Sequence, residues 1–159
     1  MQGDPTVIEL LNEVLTGELT AVNQYFVHAK LCDNWGYKRL HEKVYAESIE
    51  EMKHADELID RIIFLEGVPN VQRYGSIRIG ETVPEQFRAD MAIEVEAVDR
   101  LRKGAAYMRS IGDITSAKVF EEILADEEHH VEYLETQLQL IETLGEALYL
   151  QNVTEHPTE

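Results

Sequence analysis

Two Glu-x-x-His tetrads, Glu51 to His54 and Glu127 to His130, stand 76 residues apart, and two further glutamates, Glu18 and Glu94, repeat the same offset. Residues three apart share one face of a helix, so each tetrad presents a carboxylate and an imidazole side by side. Carboxylate oxygen and neutral imidazole nitrogen are donors that divalent first-row metals accept, and four carboxylate charges match two divalent cations. Without cations, four buried carboxylates would each lose several kcal/mol of solvation, and most would have to take up protons. No thiolate stands in the set, which suits iron or manganese better than a softer metal, although affinity alone also admits zinc. The plainer alternative is a hydrogen-bonded polar layer that sets helix register. It leaves unexplained why both tetrads and both lone glutamates keep one offset.

The elements that must position these residues follow from the apolar period. Tracing the face that holds the first tetrad gives Leu40, Val44, Glu47, Glu51, His54, Leu58, Ile62 and Leu65, a stripe that is apolar at both ends and ionisable in the middle. Three other segments read the same way: Leu11, Leu15, Glu18, Val22, Tyr25 and Ala29; Phe87, Met91, Glu94, Val98, Leu101, Ala105 and Met108; Phe120, Ile123, Glu127, His130, Leu134, Leu138 and Ile141. Apolar positions keep the offset too, with Leu11 matching Phe87 and Leu58 matching Leu134. One helical hairpin is therefore repeated as a second.

Boundary signals place a first helix over about 5–35, opened by an Asp4 N-cap with Pro5 behind it and closed by Gly36. A second runs over about 38–65 before Gly67 and Pro69. A third starts at a Thr82 to Glu85 capping box and reaches about Ile111, and a fourth follows Asp113 to about Leu144. Residues 67–81 have turn formers and no helical period, so they form one long connection. Helices of this length, in two tight hairpins joined by one crossover, predict an all-α fold: a ferritin-like antiparallel four-helix bundle over about 5–144. A short helix over about 146–153 and a frayed tail over 154–159 complete a single domain of 159 residues.

Thirty-one acidic against fourteen basic residues give a formal charge of −17, which disfavours nucleic acid and anionic membrane and favours cations. A hydrophobic content of 44% with clear periodicity argues against disorder. The single cysteine, Cys32, excludes an internal disulfide framework; no secretory leader opens the chain, and no apolar run approaches a membrane span. A cytoplasmic protein is expected.

Over essentially its whole length the sequence resembles the bacterioferritins, through MQGDPTVIELLNEVLTGEL, NQYF, ESIEEMKHAD, RIIFLEGVPN and DEEHHVEYLETQL. The resemblance implies a di-iron centre held by Glu18, Glu51, His54, Glu94, Glu127 and His130, with Glu51 and Glu127 bridging the irons. It implies ferroxidase activity on Fe(II) with O2 or hydrogen peroxide, mineral storage inside a homo-oligomeric shell of 24 subunits, and a ferredoxin-type electron donor for release. It also implies haem b, held by Met52 and its copy across a two-fold interface. Read on residues alone, Met52 belongs to a second apolar row with Ile49, Ile59 and Ile63, which calls for a partner subunit but fits an interface knob equally well. The matching position in the second hairpin is Glu128, so any haem belongs to one hairpin only.

Several positions depart from the family pattern. Ala46 and Glu50 stand where some members carry a His and an Asp for an inner-surface iron, Tyr133 replaces a Trp, and Leu58 replaces a Tyr. Tyr25 matches, and either donates an electron or fills the core. His28, His41, His129 and His156 are expected on solvated or interface surfaces, Cys32 at an interface as a small hydrophobe, and Trp35 near subunit contacts. Competing functions are a di-iron oxidase or rubrerythrin-like protein, weakened by the lack of a CxxC pair, a DNA-protecting mini-ferritin, and a purely structural bundle.

Overall fold

A computed structural model describes residues 1–155; His156 and the rest of the predicted tail beyond residue 155 lie outside them. Four long helices, α1 (Pro5–Asn34), α2 (Lys38–Phe64), α3 (Val83–Ser110) and α4 (Ile114–Leu144), are followed by the short α5 (Glu146–Gln151). Among the described residues there is no strand, and no helix is long and apolar enough to cross a membrane. Helices α1 and α2 pack as one antiparallel hairpin, α3 and α4 as another, and the hairpins meet along α1 with α3 and α2 with α4. The fold is the ferritin-like four-helix bundle that the sequence predicts.

Local chemistry sets the helix ends. The Asp4 carboxylate accepts from the Thr6 and Val7 amides at 2.8 and 3.1 Å, and Pro5 occupies the first turn, where a missing N–H costs nothing. Thr82 Oγ1 accepts from the Glu85 amide at 3.3 Å, while the Glu85 carboxylate reaches back to the Glu81 amide at 2.8 Å rather than to that of Thr82. At the α3–α4 reversal Gly112 takes a φ of +82°, which L side chains rarely adopt. At the end of α2 the left-handed residue is Glu66, φ +63°, and Gly67 follows it without a positive φ. Gly67 is needed for space instead, because a Cβ there would lie 2.7 Å from Ile8 Cγ2.

The core divides into two apolar clusters. One holds Val7, Leu11, Leu15, Leu58, Ile62, Leu101, Met108, Phe120 and Ile123; the other holds Tyr25, Ala29, Cys32, Leu40, Val44, Phe87, Leu134 and Tyr149. Between them lies the ionisable layer of all four stripes. At about 1.5–3 kcal/mol for each large buried side chain, these clusters supply the driving force that holds the polar layer shut.

The crossover between α2 and α3 is extended but ordered, for a reason the period of the chain does not reveal. Every fourth residue along one face of α1 is polar: Asn12, Thr16, Thr20, Gln24 and His28. Asn12 binds the carbonyl of Val68 and the amide of Asn70, Thr16 accepts from Arg73 Nε, Thr20 from the Gly75 amide, Gln24 from the Arg78 amide, and His28 Nε2 from the Gly80 amide, all at 2.8–3.1 Å. Four helical residues rise about 6 Å, and the crossover advances by two or three residues over the same distance, so it keeps step with α1 by running less than fully extended. Gly80 cannot be replaced here, since a Cβ would meet the Gln86 amide nitrogen at 2.4 Å.

His28 is thus fully buried, not a surface or interface residue as expected. Because Nε2 accepts from Gly80, its proton sits on Nδ1, which donates to Asp90 Oδ1 of α3 at 2.9 Å. Cys32 is likewise in the chain's own core rather than at an interface; its thiol donates to Gln86 Oε1, and burial, with the charge of Asp90, pushes its pKa up to about 12. His41 is half-buried with Nδ1 2.7 Å from the Ala29 carbonyl, His129 is exposed, and Trp35 is half-buried against Tyr37. Helix α5 is shorter than expected and is docked by Tyr149, which packs edge-on against Phe87 and donates to Gln137 Oε1 at 2.7 Å.

Candidate metal centre

All six residues singled out by the repeated spacing meet in the middle of the bundle, none more than 3% exposed. They fall into two groups whose donor atoms lie within 4.8 Å of one another: Glu18, Glu51, His54 and Glu127, and Glu51, Glu94, Glu127 and His130. Glu51 and Glu127 belong to both groups, through different oxygens. His54 Nδ1 lies 3.4 Å from Glu51 Oε2, 3.0 Å from Glu127 Oε1 and 3.7 Å from Glu18 Oε2. His130 Nδ1 lies 3.0 Å from Glu51 Oε1, 3.5 Å from Glu127 Oε2 and 3.3 Å from Glu94 Oε1. The arrangement has an approximate two-fold symmetry that matches the repeat in the sequence.

The donor set fits two cations and fits poorly without them. Buried Glu18 Oε1, Glu51 Oε1, Glu94 Oε2 and Glu127 Oε1 make no hydrogen bond, and although two of them approach a histidine nitrogen, the angles do not form one. An unpaired buried carboxylate oxygen costs several kcal/mol, so a cluster of four needs compensating charge. With no cation, protons supply that charge. Burial alone would lower the His54 pKa, but the adjoining carboxylates of Glu127, Glu51 and Asp126 outweigh it and raise the value to about 11. His130 is raised in the same way, against its burial, by Glu127, Glu51 and Glu94. Glu94 is pushed well above the usual carboxylate range, first by burial and then by Glu127. Cations bound here would displace these protons, since imidazole ligates only in its neutral form.

Four more side chains surround the cluster. The Tyr25 hydroxyl donates to Glu94 Oε1, and burial together with the charges of Glu94 and Asp90 keeps that hydroxyl protonated. Glu47 is buried, its Oε1 making no hydrogen bond but lying 3.5 Å from Lys43 Nζ, and burial raises its pKa to about 7. Two half-exposed carboxylates, Asp126 and Glu50, lie 2.8 Å from His54 Nε2 and 3.0 Å from His130 Nε2. In the sequence Glu47 stands on the stripe without a role, Glu50 marks only a departure from the family pattern, and Asp126 has no distinguishing mark on its own helix. The signal for the last two was present, because positions 50 and 126 keep the same 76-residue offset as the cluster itself.

Met52 lies outside the cluster, 42% exposed on the outer side of α2. Tyr45, Ile49 and Ile63 are exposed along the same helix and Phe26 of α1 packs at a tilt against Tyr45, whereas Ile59 packs partly into the core. The structure therefore separates an inward row of ionisable residues from an outward apolar one.

Four antiparallel helices around a layer of four glutamates and two histidines define the class of carboxylate-rich ferritin-like bundles. Accordingly, the family described as "Ferritin-like domain" matches residues 8–144. A bacterioferritin of Streptomyces coelicolor is 61% identical over 155 residues, covering 98% of this chain and 93% of that protein. Bacterioferritin BfrA of Mycobacterium tuberculosis is 56% identical over 159 residues, 99% of this chain and all of that one. A solved mycobacterial bacterioferritin superposes with a TM-score of 0.97 at 55% identity, covering 100% of this chain and 99% of that one. The chain belongs to the bacterioferritin family.

Proposed function

We propose that this chain is an iron-storage subunit with ferroxidase activity. On this reading Glu18 with His54, and Glu94 with His130, each complete the coordination of one iron, and Glu51 and Glu127 each give one oxygen to either ion. The observation that carries it is the sharing of Glu51 and Glu127 between two buried donor groups through separate oxygens. Two Fe(II) substrate ions held at this spacing lose one electron each, and O2 takes both with two protons to give hydrogen peroxide; peroxide taking two electrons and two protons gives water. The protein supplies a buried site whose carboxylates favour Fe(III) over Fe(II) by charge.

The whole chain acts as one ferritin-like domain, assembled into a hollow shell of 24 subunits in the cytoplasm, where Fe(III) is deposited as mineral. A formal charge of −17 per chain suits a cage that gathers cations, and it opposes association with nucleic acid or anionic membrane. The outward Met52 row supports a two-fold contact in which the thioether and its copy hold haem b, receiving electrons from a ferredoxin-type donor for iron release. Glu18→Ala or His130→Ala should leave the particle size in gel filtration unchanged while the initial oxidation of a pulse of two Fe(II) per chain slows at least a hundredfold. Oxidation at the unaltered rate in either variant would place the reaction elsewhere.

A further inference from the structure

Each histidine of the cluster turns Nδ1 toward the shared carboxylates and Nε2 away from them, and what meets Nε2 is an acid from the opposite hairpin. Asp126 of α4 lies 2.8 Å from the Nε2 of His54 on α2, and Glu50 of α2 lies 3.0 Å from the Nε2 of His130 on α4. Glu50 stands four residues before His54 on its own helix, a spacing at which side chains on one helix commonly pair, yet its hydrogen bond crosses to the other hairpin. The pairing is reciprocal and keeps the offset of the cluster, so it repeats as the ligand set repeats.

An imidazole can present either nitrogen to a metal, and the choice is set by the hydrogen bond that the other nitrogen makes. A carboxylate at Nε2 holds the proton there, keeps the ring from flipping and leaves the Nδ1 lone pair facing the centre. We infer that Glu50 and Asp126 are positioning residues that fix the orientation and tautomer of the partner hairpin's histidine, Asp126 serving the half-site of Glu18 and His54, and Glu50 the half-site of Glu94 and His130. Each half-site is then assembled by both hairpins, and correct docking of the hairpins becomes a condition for metal binding. This inference rests on the two-ion reading of the cluster.

Cobalt(II) titration of the full-length, metal-stripped protein, followed by its visible d–d absorption, tests both. Wild type should take up two Co(II) per chain; fewer would overturn the two-ion reading together with this inference. Single half-sites are isolated with Glu94→Ala, which leaves the His54 half, and Glu18→Ala, which leaves the His130 half. In the first background Asp126→Ala should weaken Co(II) binding ten- to a hundredfold and Glu50→Ala less than threefold; in the second the two effects should exchange. Asp126→Asn and Glu50→Gln, which keep an acceptor oxygen, should recover part of each loss. Equal losses in both halves, or none, would overturn the assignment. So would a third tight Co(II) in wild type that either alanine variant removes, because Glu50, His54 and Asp126 would then be holding an ion of their own.

Discussion

The two hairpins agree inside and disagree outside. Toward the centre, α1–α2 and α3–α4 present the same residues at matched positions: Glu18 and Glu94, Glu51 and Glu127, His54 and His130, with Glu50 answered by Asp126. On their outer faces the correspondence ends, Met52 being matched by Glu128, Phe26 by Arg102 and Ile63 by Gln139. On the two-ion reading the interior is constrained, because one pair of shared cations must be surrounded by both halves at once. The exteriors carry no such constraint. Two further differences lie along the ionisable stripes, Tyr25 where the second hairpin has Leu101 and Glu47 where it has Ile123, and both enrich the polar surroundings of one half.

The outer contrast gives the largest expected effect. If Met52 holds haem as proposed, Met52→Leu should abolish haem absorption in the purified protein while the initial rate of Fe(II) oxidation stays within twofold of wild type. Leucine keeps nearly the same volume and hydrophobicity, so any interface should lose less than about 1.5 kcal/mol. Only the thioether sulfur that a haem iron needs is removed. Met52 is half-exposed on the outward row and Glu51 beside it is buried, so the cluster should not move. Haem retained at wild-type stoichiometry would reduce Met52 to a packing residue and leave the outer contrast without a chemical purpose.

Next in size is Glu47, the carboxylate that Ile123 does not match. Its folded-state pKa of about 7 lies above the ordinary 4.5, so between those values the folded, metal-free chain binds more protons than the unfolded one. Stability attributable to this group is therefore undiminished below about pH 4.5, declines as pH rises toward 7 and stays reduced above it, by about 3 kcal/mol. Glu47→Gln removes the titration. Thermal denaturation of metal-stripped protein should find the variant and wild type alike near pH 4.5 and the variant clearly more stable at pH 8. A constant difference across that range would show that Glu47 is already ionised at low pH, and the asymmetry would then be one of shape alone.

The cluster was legible in the sequence because its residues interrupt apolar stripes, and a stripe is a property of one helix. Period and offset together located Glu18, Glu51, His54, Glu94, Glu127 and His130, and capping signals placed the long helices to within about a residue or two. What the sequence left unread depends on contacts between helices. Glu50 and Asp126 lie beside the stripes and acquire meaning only when the opposite histidine arrives. His28 looked like a surface residue because the crossover that buries it has no period of its own, and the α1 polar row that receives it reads as an ordinary solvated face. Cys32 was misplaced for the same reason, its neighbour Gln86 coming from α3.

The smallest expected effect comes from Tyr25, and it bears on whether the two half-sites are equivalent. Its hydroxyl donates to Glu94 Oε1 and leaves Oε2 of the same carboxylate unpartnered, so the hydrogen bond selects which oxygen is free for a cation. At the matching position beside Glu18 stands Leu101, which offers no donor. A hydrogen bond to a charged group contributes about 1.5 kcal/mol or somewhat more, roughly tenfold in affinity. Tyr25→Phe keeps the ring and its packing in the core and removes only the donor. In wild type the two successive Co(II) affinities should therefore differ by about tenfold beyond the statistical factor, and in Tyr25→Phe they should converge through weakening of the Glu94 half. If wild type already binds both ions alike, or the variant weakens both equally, Tyr25 serves only to fill the core, and the metal-binding halves are as symmetric as the sequence repeat that builds them.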